Sequence, residues 1–211
     1  IKKYWNIQAK VIHPPVDIER FNYKKNRGDF YLSVNRLVPN KRIDLLIRAF
    51  NKLGLPLYIV GDGPEKNKLK KIANSNITFL GKSSNHLVEK LMSTCRSFIY
   101  SGVEDFGIAP VEAIASGAPI IAYGKGGILD TVKCIRSKDK KVYPTGILFK
   151  EQTVSSIQDV VSWFEEGKIW QNFDAEKMHE SAQQFSKKNF EEKFTNFIEE
   201  SWNEFISRKK F

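Results

Sequence analysis

The chain has 211 residues, a formal net charge of +10, 41% hydrophobic and 27% charged residues. That mix is ordinary for a globular protein, and the length fits one domain with additions better than two full domains. No apolar run reaches the ~20 residues a membrane-spanning helix needs, and no signal-peptide core follows the start Ile1-Lys2-Lys3-Tyr4-Trp5.

Cys95 and Cys134 form no CxxC pattern, so buried, reduced thiols and a reducing compartment are expected. His13, His86 and His179 are scattered without metal-ligand spacing. The positive charge leaves two readings open. It reflects either an anionic partner (nucleic acid, an anionic membrane face or a phosphorylated substrate) or simply a lysine-rich composition, since the lysines are spread along the chain.

Residues 1–27 read as an incoming strand and a linker, in which Pro14 and Pro15 forbid helix. Strand-like runs then follow at Phe30–Val34, Leu57–Val60, Ile77–Leu80, Ser97–Tyr100, Pro119–Tyr123 and Gly146–Phe149. They are short, rich in β-branched or aromatic residues, and bounded by Gly, Pro or Ser. Between them apolar residues recur at helical spacing: Ile43 to Leu53, Leu69 to Ala73, Leu87-Leu91-Cys95, Val111 to Ala115, and Ile157 to Phe164. The expected fold is α/β, a Rossmann-like parallel sheet of about six strands with helices on both faces. Residues 28–172 form this domain. Residues 173–211 form a tail of amphipathic helices, where Phe185, Phe190, Phe194, Phe197, Ile198, Trp202, Phe205 and Ile206 are expected to pack as core; docking to another domain or to a membrane are the alternatives.

In such sheets ligands sit beyond the carboxyl ends of the strands. After the first strand come Arg36 and Lys41, with Lys41 expected to open the next helix. Two cations there suit a diphosphate, Arg as a planar fork and Lys as a point charge; a solvated loop is the bland alternative. After the second strand, Gly61-Asp62-Gly63-Pro64 reads chiefly as a tight turn, with Pro64 in the first turn of a helix. After the third, Ser83 or Ser84 suits a helix N-cap. After the fourth, Gly107 precedes a helix starting near Ile108, whose free amides make an anion site. Glu104 and Glu112 flank that start. They are read either as acceptors for vicinal hydroxyls or as capping and dipole residues. After the fifth, Gly124-Lys125-Gly126-Gly127 reads as a flexible loop at the same edge.

These motifs resemble a known family. Glu104 to Glu112 fits the Glu-x7-Glu motif of retaining GT-B glycosyltransferases, inside a longer Glu-Asp-Phe-Gly-Ile-x-Pro-Val-Glu-Ala match. Asn35-Arg36-Leu37 to Lys41 resembles the family's Gly-Arg-Leu-x-x-x-Lys loop, with Asn35 where Gly is usual. Val11 to Asp17 resembles the linker into the C-terminal domain, and Gly61-Asp62-Gly63-Pro64 and Phe79-Leu80-Gly81 also fit. The chain is most similar to glycosyltransferase family four, and within it to mannosyltransferase-like members that carry Thr-Gly-Ile-Leu-Phe, here Thr145 to Phe149.

The resemblance implies a donor-binding half that moves a hexose, mannose first among them, from a GDP- or UDP-sugar to a glycan or lipid-linked acceptor such as lipopolysaccharide. Arg36 and Lys41 would hold the donor diphosphate and stabilise the charge on the departing nucleotide. Glu104 would bind hydroxyls of the transferred sugar. Amides of Gly107, Ile108 and Ala109 would contact phosphate or sugar. Glu112 would bind the ribose, and Gly61, Phe79, Gly81 and Lys82 would stand near the base. No metal or other cofactor is implied. The resemblance also implies an N-terminal, acceptor-binding domain as partner, without which this half would be inactive. The positive charge fits a cytoplasmic enzyme at an anionic membrane face. Three alternatives stand beside this. An NAD-dependent domain would need a GxGxxG after the first strand, where no glycine occurs. A non-catalytic nucleotide-sugar-binding module would keep the same loops. A nucleic-acid-binding domain would need basic residues interleaved with aromatics in one segment, and no segment concentrates both.

Overall fold

A computed structural model of the chain describes residues 2–6, 9–136 and 143–209. Its elements run α1 (Lys2–Trp5), β1 (Tyr31–Val34), α2 (Ile43–Leu53), β2 (Leu57–Val60), α3 (Lys66–Lys71), β3 (Ile77–Gly81), α4 (Asn85–Thr94), β4 (Ser97–Tyr100), α5 (Ile108–Ala115), β5 (Ile120–Tyr123), α6 (Ile128–Thr131), β6 (Gly146–Phe149), α7 (Val154–Glu166), α8 (Ala175–Ala182) and α9 (Lys187–Lys209). Short 3-10 turns precede α2, follow α7 and join α8 to α9. The six strands form one sheet in the order β3-β2-β1-β4-β5-β6, and every pairing is parallel.

Successive strand residues point to opposite faces, and both faces are apolar. Leu32, Val60, Phe98, Tyr100, Ile120 and Ala122 pack on one side with Leu91 and Met92 of α4, Val111 and Ile114 of α5 and Met178 of α8. Tyr31, Ile59, Ile99, Ile121 and Ile147 pack on the other with Ile43 to Phe50 of α2, Leu69 of α3 and Ile157 to Phe164 of α7. This is why the strands read as unbroken apolar runs and not as alternations: both faces are covered. Each fully buried Leu, Ile or Phe contributes roughly 1.5–3 kcal/mol.

Helix starts follow local chemistry. Ser84 caps α4 by accepting from the Leu87 amide at 3.3 Å, and Thr153 caps α7 by accepting from Ser156 at 3.2 Å. Asp174 caps α8 by accepting from Glu176 and Lys177 at 2.9 and 3.2 Å. Each such cap is worth about 1 kcal/mol.

Several expectations need correction. Lys41 does not open α2. It ends a 3-10 turn, and Arg42 follows at φ 52° before α2 begins at Ile43. Pro64 stands two residues ahead of α3, which starts at Lys66. Leu87 is exposed and not core; the adjacent Val88 packs against the core instead. Cys95 is buried as expected, but Cys134 is only half-buried. In residues 9–27 there is no strand, only an isolated parallel bridge between Val16 and Ser186.

That bridge joins the N-terminal segment to the residue before α9. Val16, Ile18 and Phe21 are buried in the same core as Met178, Ala182 and Phe185, and the Val16 amide donates to the Phe185 carbonyl at 2.8 Å. Beyond Phe185 the expected core stripe fails. Phe194, Ile198, Trp202, Phe205 and Ile206 are 46%, 50%, 60%, 48% and 40% exposed. These positions recur at helical spacing along α9. No described helix is long and apolar enough to cross a membrane.

Candidate functional site

Strand order reverses between β1 and β4: the chain runs outward from β1 to β3, then returns to the other side of β1. At such a switch point the exit loops of the two central strands diverge and leave a crevice. A cavity of about 430 Å³ lies there, lined by Pro14, by Val34 to Arg36 and Lys41 after β1, and by Tyr100 and Glu104 to Pro110 after β4. Its size lies within the range of small-molecule sites, about 300–1,000 Å³.

The position of Lys41 is set by the residues that follow β4. Buried Ser101 donates to the carbonyls of Lys41 and Arg42 at 3.0 and 2.8 Å. Gln152 donates to the Ser101 carbonyl at 2.8 Å. Gly102 lies so close that an added Cβ would meet the Lys41 Cα at 3.1 Å. The Lys41 ammonium therefore reaches across the cavity and donates to Glu104 Oε1. The hydroxyl of buried Tyr100 donates to the same oxygen. Burial, and then the bond to Glu104, hold the Tyr100 hydroxyl well above its ordinary pKa, so it stays a donor. The Arg36 side chain is exposed at the rim and makes no ion pair or hydrogen bond among the described residues.

The backbone of Glu104 is fixed from the β5 side. Gly127 donates to the Glu104 carbonyl at 2.7 Å, and a Cβ on Gly127 would stand 2.1 Å from the Asp105 carbonyl oxygen. The loop Gly124–Gly127, expected to be flexible, is instead packed tightly against Glu104 and Asp105. Gly107 then turns the chain into α5 at φ 89°, a conformation glycine adopts without steric cost. It offers no side-chain cap, so the amides of Ile108 and Ala109 have no capping side chain and face the cavity end of the helix.

Glu112 does not line this cavity. It sits one helical turn beyond Ile108, and its Oε1 accepts from Arg20 Nη2 at 2.5 Å. Neither glutamate side chain caps the start of α5. Burial pushes the Glu112 carboxyl above the usual carboxylate range; Arg20 opposes this, while Glu89 and Asp17 add to it.

Gly61, Phe79, Gly81 and Lys82 belong to the exits or bodies of β2 and β3, on the outer side of β1, and do not line the cavity. Gly61 lies against β1's exit: a Cβ there would be 1.8 Å from the Asn35 carbonyl oxygen, and one on Gly63 2.4 Å from that of Leu37. Leu37 in turn donates to the Asp62 carbonyl at 2.9 Å. The Gly-x-Gly turn thus lets two backbones meet, and it supports the loop that carries Arg36. Among the described residues the non-glycine positions with positive φ are Asn6, Arg42 and Lys168, and Asn35 is not one of them. A side chain at that position is therefore unstrained.

Two residues at the site were not singled out in the sequence. Tyr100 is the last residue of β4, where the carboxyl-end rule points. Arg20 lies in a segment read as linker and carries no such signal.

The family model for glycosyl transferases group 1 matches residues 16–190. The chain is 26% identical to the alpha-1,3/1,6-mannosyltransferase ALG2 of Saccharomyces cerevisiae, over 99% of this chain and 51% of that protein. It is 28% identical to the GDP-mannose-dependent alpha-(1-6)-phosphatidylinositol monomannoside mannosyltransferase of Mycobacterium tuberculosis, over 71% of this chain and 44% of that one. The chain thus spans about half the length of the curated relatives it matches. Among solved structures it is similar to Anabaena Alr3699/HepE in complex with UDP and glucose, with a TM-score of 0.72 and 19% identity over 90% of this chain and 56% of that one. A strand order of 3-2-1-4-5-6, a cavity at its switch point and a family match across the described sheet agree with one another: this chain belongs to the group 1 glycosyl transferases.

Proposed function

We propose that this chain is the donor-binding half of a retaining glycosyltransferase that transfers a hexose, mannose by its relatives, from a nucleoside-diphosphate sugar to a glycan or lipid-linked acceptor. The observation that carries the reading is the pairing of Lys41 with Glu104 across the cavity, beside Arg36 and the uncapped start of α5. Cations and helix-terminal amides suit a diphosphate. A carboxylate beside them suits sugar hydroxyls.

In this reading Arg36 and Lys41 clamp the diphosphate, with the amides of Gly107, Ile108 and Ala109 completing the cradle. Glu104 accepts hydrogen bonds from the sugar. An ammonium has three donors, so Lys41 can keep Glu104 while it holds a phosphate oxygen. When the bond from the anomeric carbon to the diphosphate oxygen breaks, its electron pair stays on the nucleotide. Arg36 and Lys41 stabilise that charge in this reading. Glu112 holds the ribose hydroxyls, and the base extends toward Gly61, Phe79, Gly81 and Lys82. The acceptor is supplied by a separate, N-terminal domain. GDP is favoured by the mannosyltransferase relative that is GDP-mannose-dependent, and UDP by the HepE complex.

Calorimetric titration with GDP, UDP and NAD tests this. One nucleoside diphosphate should bind, NAD should not, and Arg36→Ala should weaken the binding at least tenfold. Binding of NAD in place of either diphosphate, or of none of the three, would overturn it.

A further inference from the structure

Arg20 reaches the Glu112 helix from outside the sheet. Its segment is anchored on both sides by the buried residues Ile18 and Phe21. From there the guanidinium bridges two helices: Nη2 donates to Glu112 Oε1 on α5 at 2.5 Å, and Nη1 stands 3.4 Å from Glu89 Oε1 on α4. It lies 4.7 Å from the centre of the Phe21 ring. Its Nε is buried and makes no hydrogen bond among the described residues. Leaving a buried charged donor unsatisfied costs stability. Removing the arginine would leave the part-buried Glu112 carboxylate without its cation, a costly change. The fork is divided between two carboxylates, and its shorter contact holds a single oxygen of Glu112.

We infer that Arg20 is a positioning residue for Glu112, holding its carboxylate so that Oε2 is presented to the vicinal hydroxyls of a nucleotide ribose. Among the described residues Oε2 accepts no hydrogen bond, so it is the oxygen left for a ligand. Glu89 and Asp17 are like charges near Glu112; without Arg20 nothing described would favour the ionised form, which alone accepts through both oxygens. The inference rests on the nucleotide reading of the cavity, with Arg20 acting only through Glu112.

The test compares ribo- with 2′-deoxynucleotides on the full 211-residue chain. GDP and 2′-deoxy-GDP, and UDP and 2′-deoxy-UDP, are titrated into wild type, Arg20→Met and Arg20→Lys. Wild type should prefer the ribonucleotide at least tenfold. Arg20→Met should bring that ratio to within about twofold of unity, while affinity for the deoxynucleotide stays within twofold of wild type. Arg20→Lys, a point charge without the fork, should restore part of the ratio. If Arg20→Met does not fold, the reduced ratio in Arg20→Lys carries the same reading. An unchanged ratio in whichever variants fold would make Arg20 a structural tether only and overturn the inference. Equal affinity of wild type for ribo and deoxy forms would overturn it too, while leaving the nucleotide reading intact. Failure of wild type to bind any of the four would sink the nucleotide reading itself.

Discussion

Lys41 and Glu104, separated by 63 positions in the chain, form an ion pair across the crevice between β1 and β4. The pair is half-buried, with side chains 15% and 28% exposed. It therefore joins two loops that no local sequence contact connects. Lys41→Met keeps the length of the side chain and removes the charge. It should weaken nucleoside-diphosphate binding by about ten- to a hundredfold, the ~1.4–3 kcal/mol typical of a charge-assisted contact. Calorimetry at constant salt reads this directly, and an unchanged affinity would take Lys41 out of the diphosphate site.

Gly61→Ala should be strongly destabilising. Its Cβ would overlap the Asn35 carbonyl oxygen at 1.8 Å, and φ is 128°, a region closed to alanine without strain. A loss of about 2–4 kcal/mol is expected from steric overlap plus backbone strain. Urea denaturation should show a lower midpoint with an unchanged slope. A midpoint equal to wild type would mean that the loops after β1 and β2 can separate freely.

Glu112 gives a pH dependence with a definite sign. Burial raises its carboxyl in the folded state, against Arg20 and together with Glu89 and Asp17. The unfolded value is about 4.3. The folded protein thus holds this proton more tightly, and the stability it contributes is complete below the unfolded value and lost as the pH rises through the folded one. Glu112→Gln has no such titration. The unfolding free energy of wild type minus that of Glu112→Gln should therefore fall as the pH is raised from roughly 4 to 7. A difference that climbs with pH would show that the Arg20 pair outweighs burial.

The two cysteines should separate under native alkylation. Cys95 is buried and its thiol is pushed up to about 11 by desolvation, whereas Cys134 is half-buried. Thiolate is the reactive form. Iodoacetamide near neutral pH should give one adduct, at Cys134, by intact-mass and peptide analysis. Two adducts should appear only in denaturant. Rapid native labelling of Cys95 would mean that α4 opens readily from the sheet.

Phe185 and Trp202 lie 3% and 60% exposed on either side of the start of α9. Phe185→Ala should cost about 3–5 kcal/mol as a core cavity. Trp202→Gln should change stability by no more than about 0.5 kcal/mol, as an exposed substitution does. Thermal denaturation distinguishes the two, and a large loss for Trp202→Gln would place its ring in packing that the described residues do not provide.

The parts of the fold legible in sequence are those set by local pattern. Phe98-Ile99-Tyr100 and Ile120-Ile121-Ala122 are apolar at every position because each residue meets a covered face, and continuity of that kind survives in the sequence. Gly107 before Ile108 announces a helix start through local chemistry alone. The residues that stayed illegible depend on what lies across the sheet. Ser101 fixes Lys41 through backbone carbonyls, which no side-chain motif records. Arg20 meets Glu112 only because Ile18 and Phe21 are buried nearby. The aromatic stripe of α9 has core-like periodicity, but periodicity reports which residues share a face and not whether anything lies against it. Arg42 at φ 52° shifted the start of α2 because its carbonyl is held by Ser101, a tertiary constraint.

The central position of β1 has a consequence for the order of assembly. The sequential neighbours β1, β2 and β3 can associate as soon as residue 81 is available, but the second wall of the crevice requires β4, which pairs with β1 at a separation of 66 positions, Tyr31 with Ser97. Pairings of that separation are slow relative to local ones because loop closure must precede them. Ligand capture during refolding would then mark the arrival of the fourth strand. A fluorescent nucleotide added to a refolding reaction would time that event separately from helix formation read by circular dichroism.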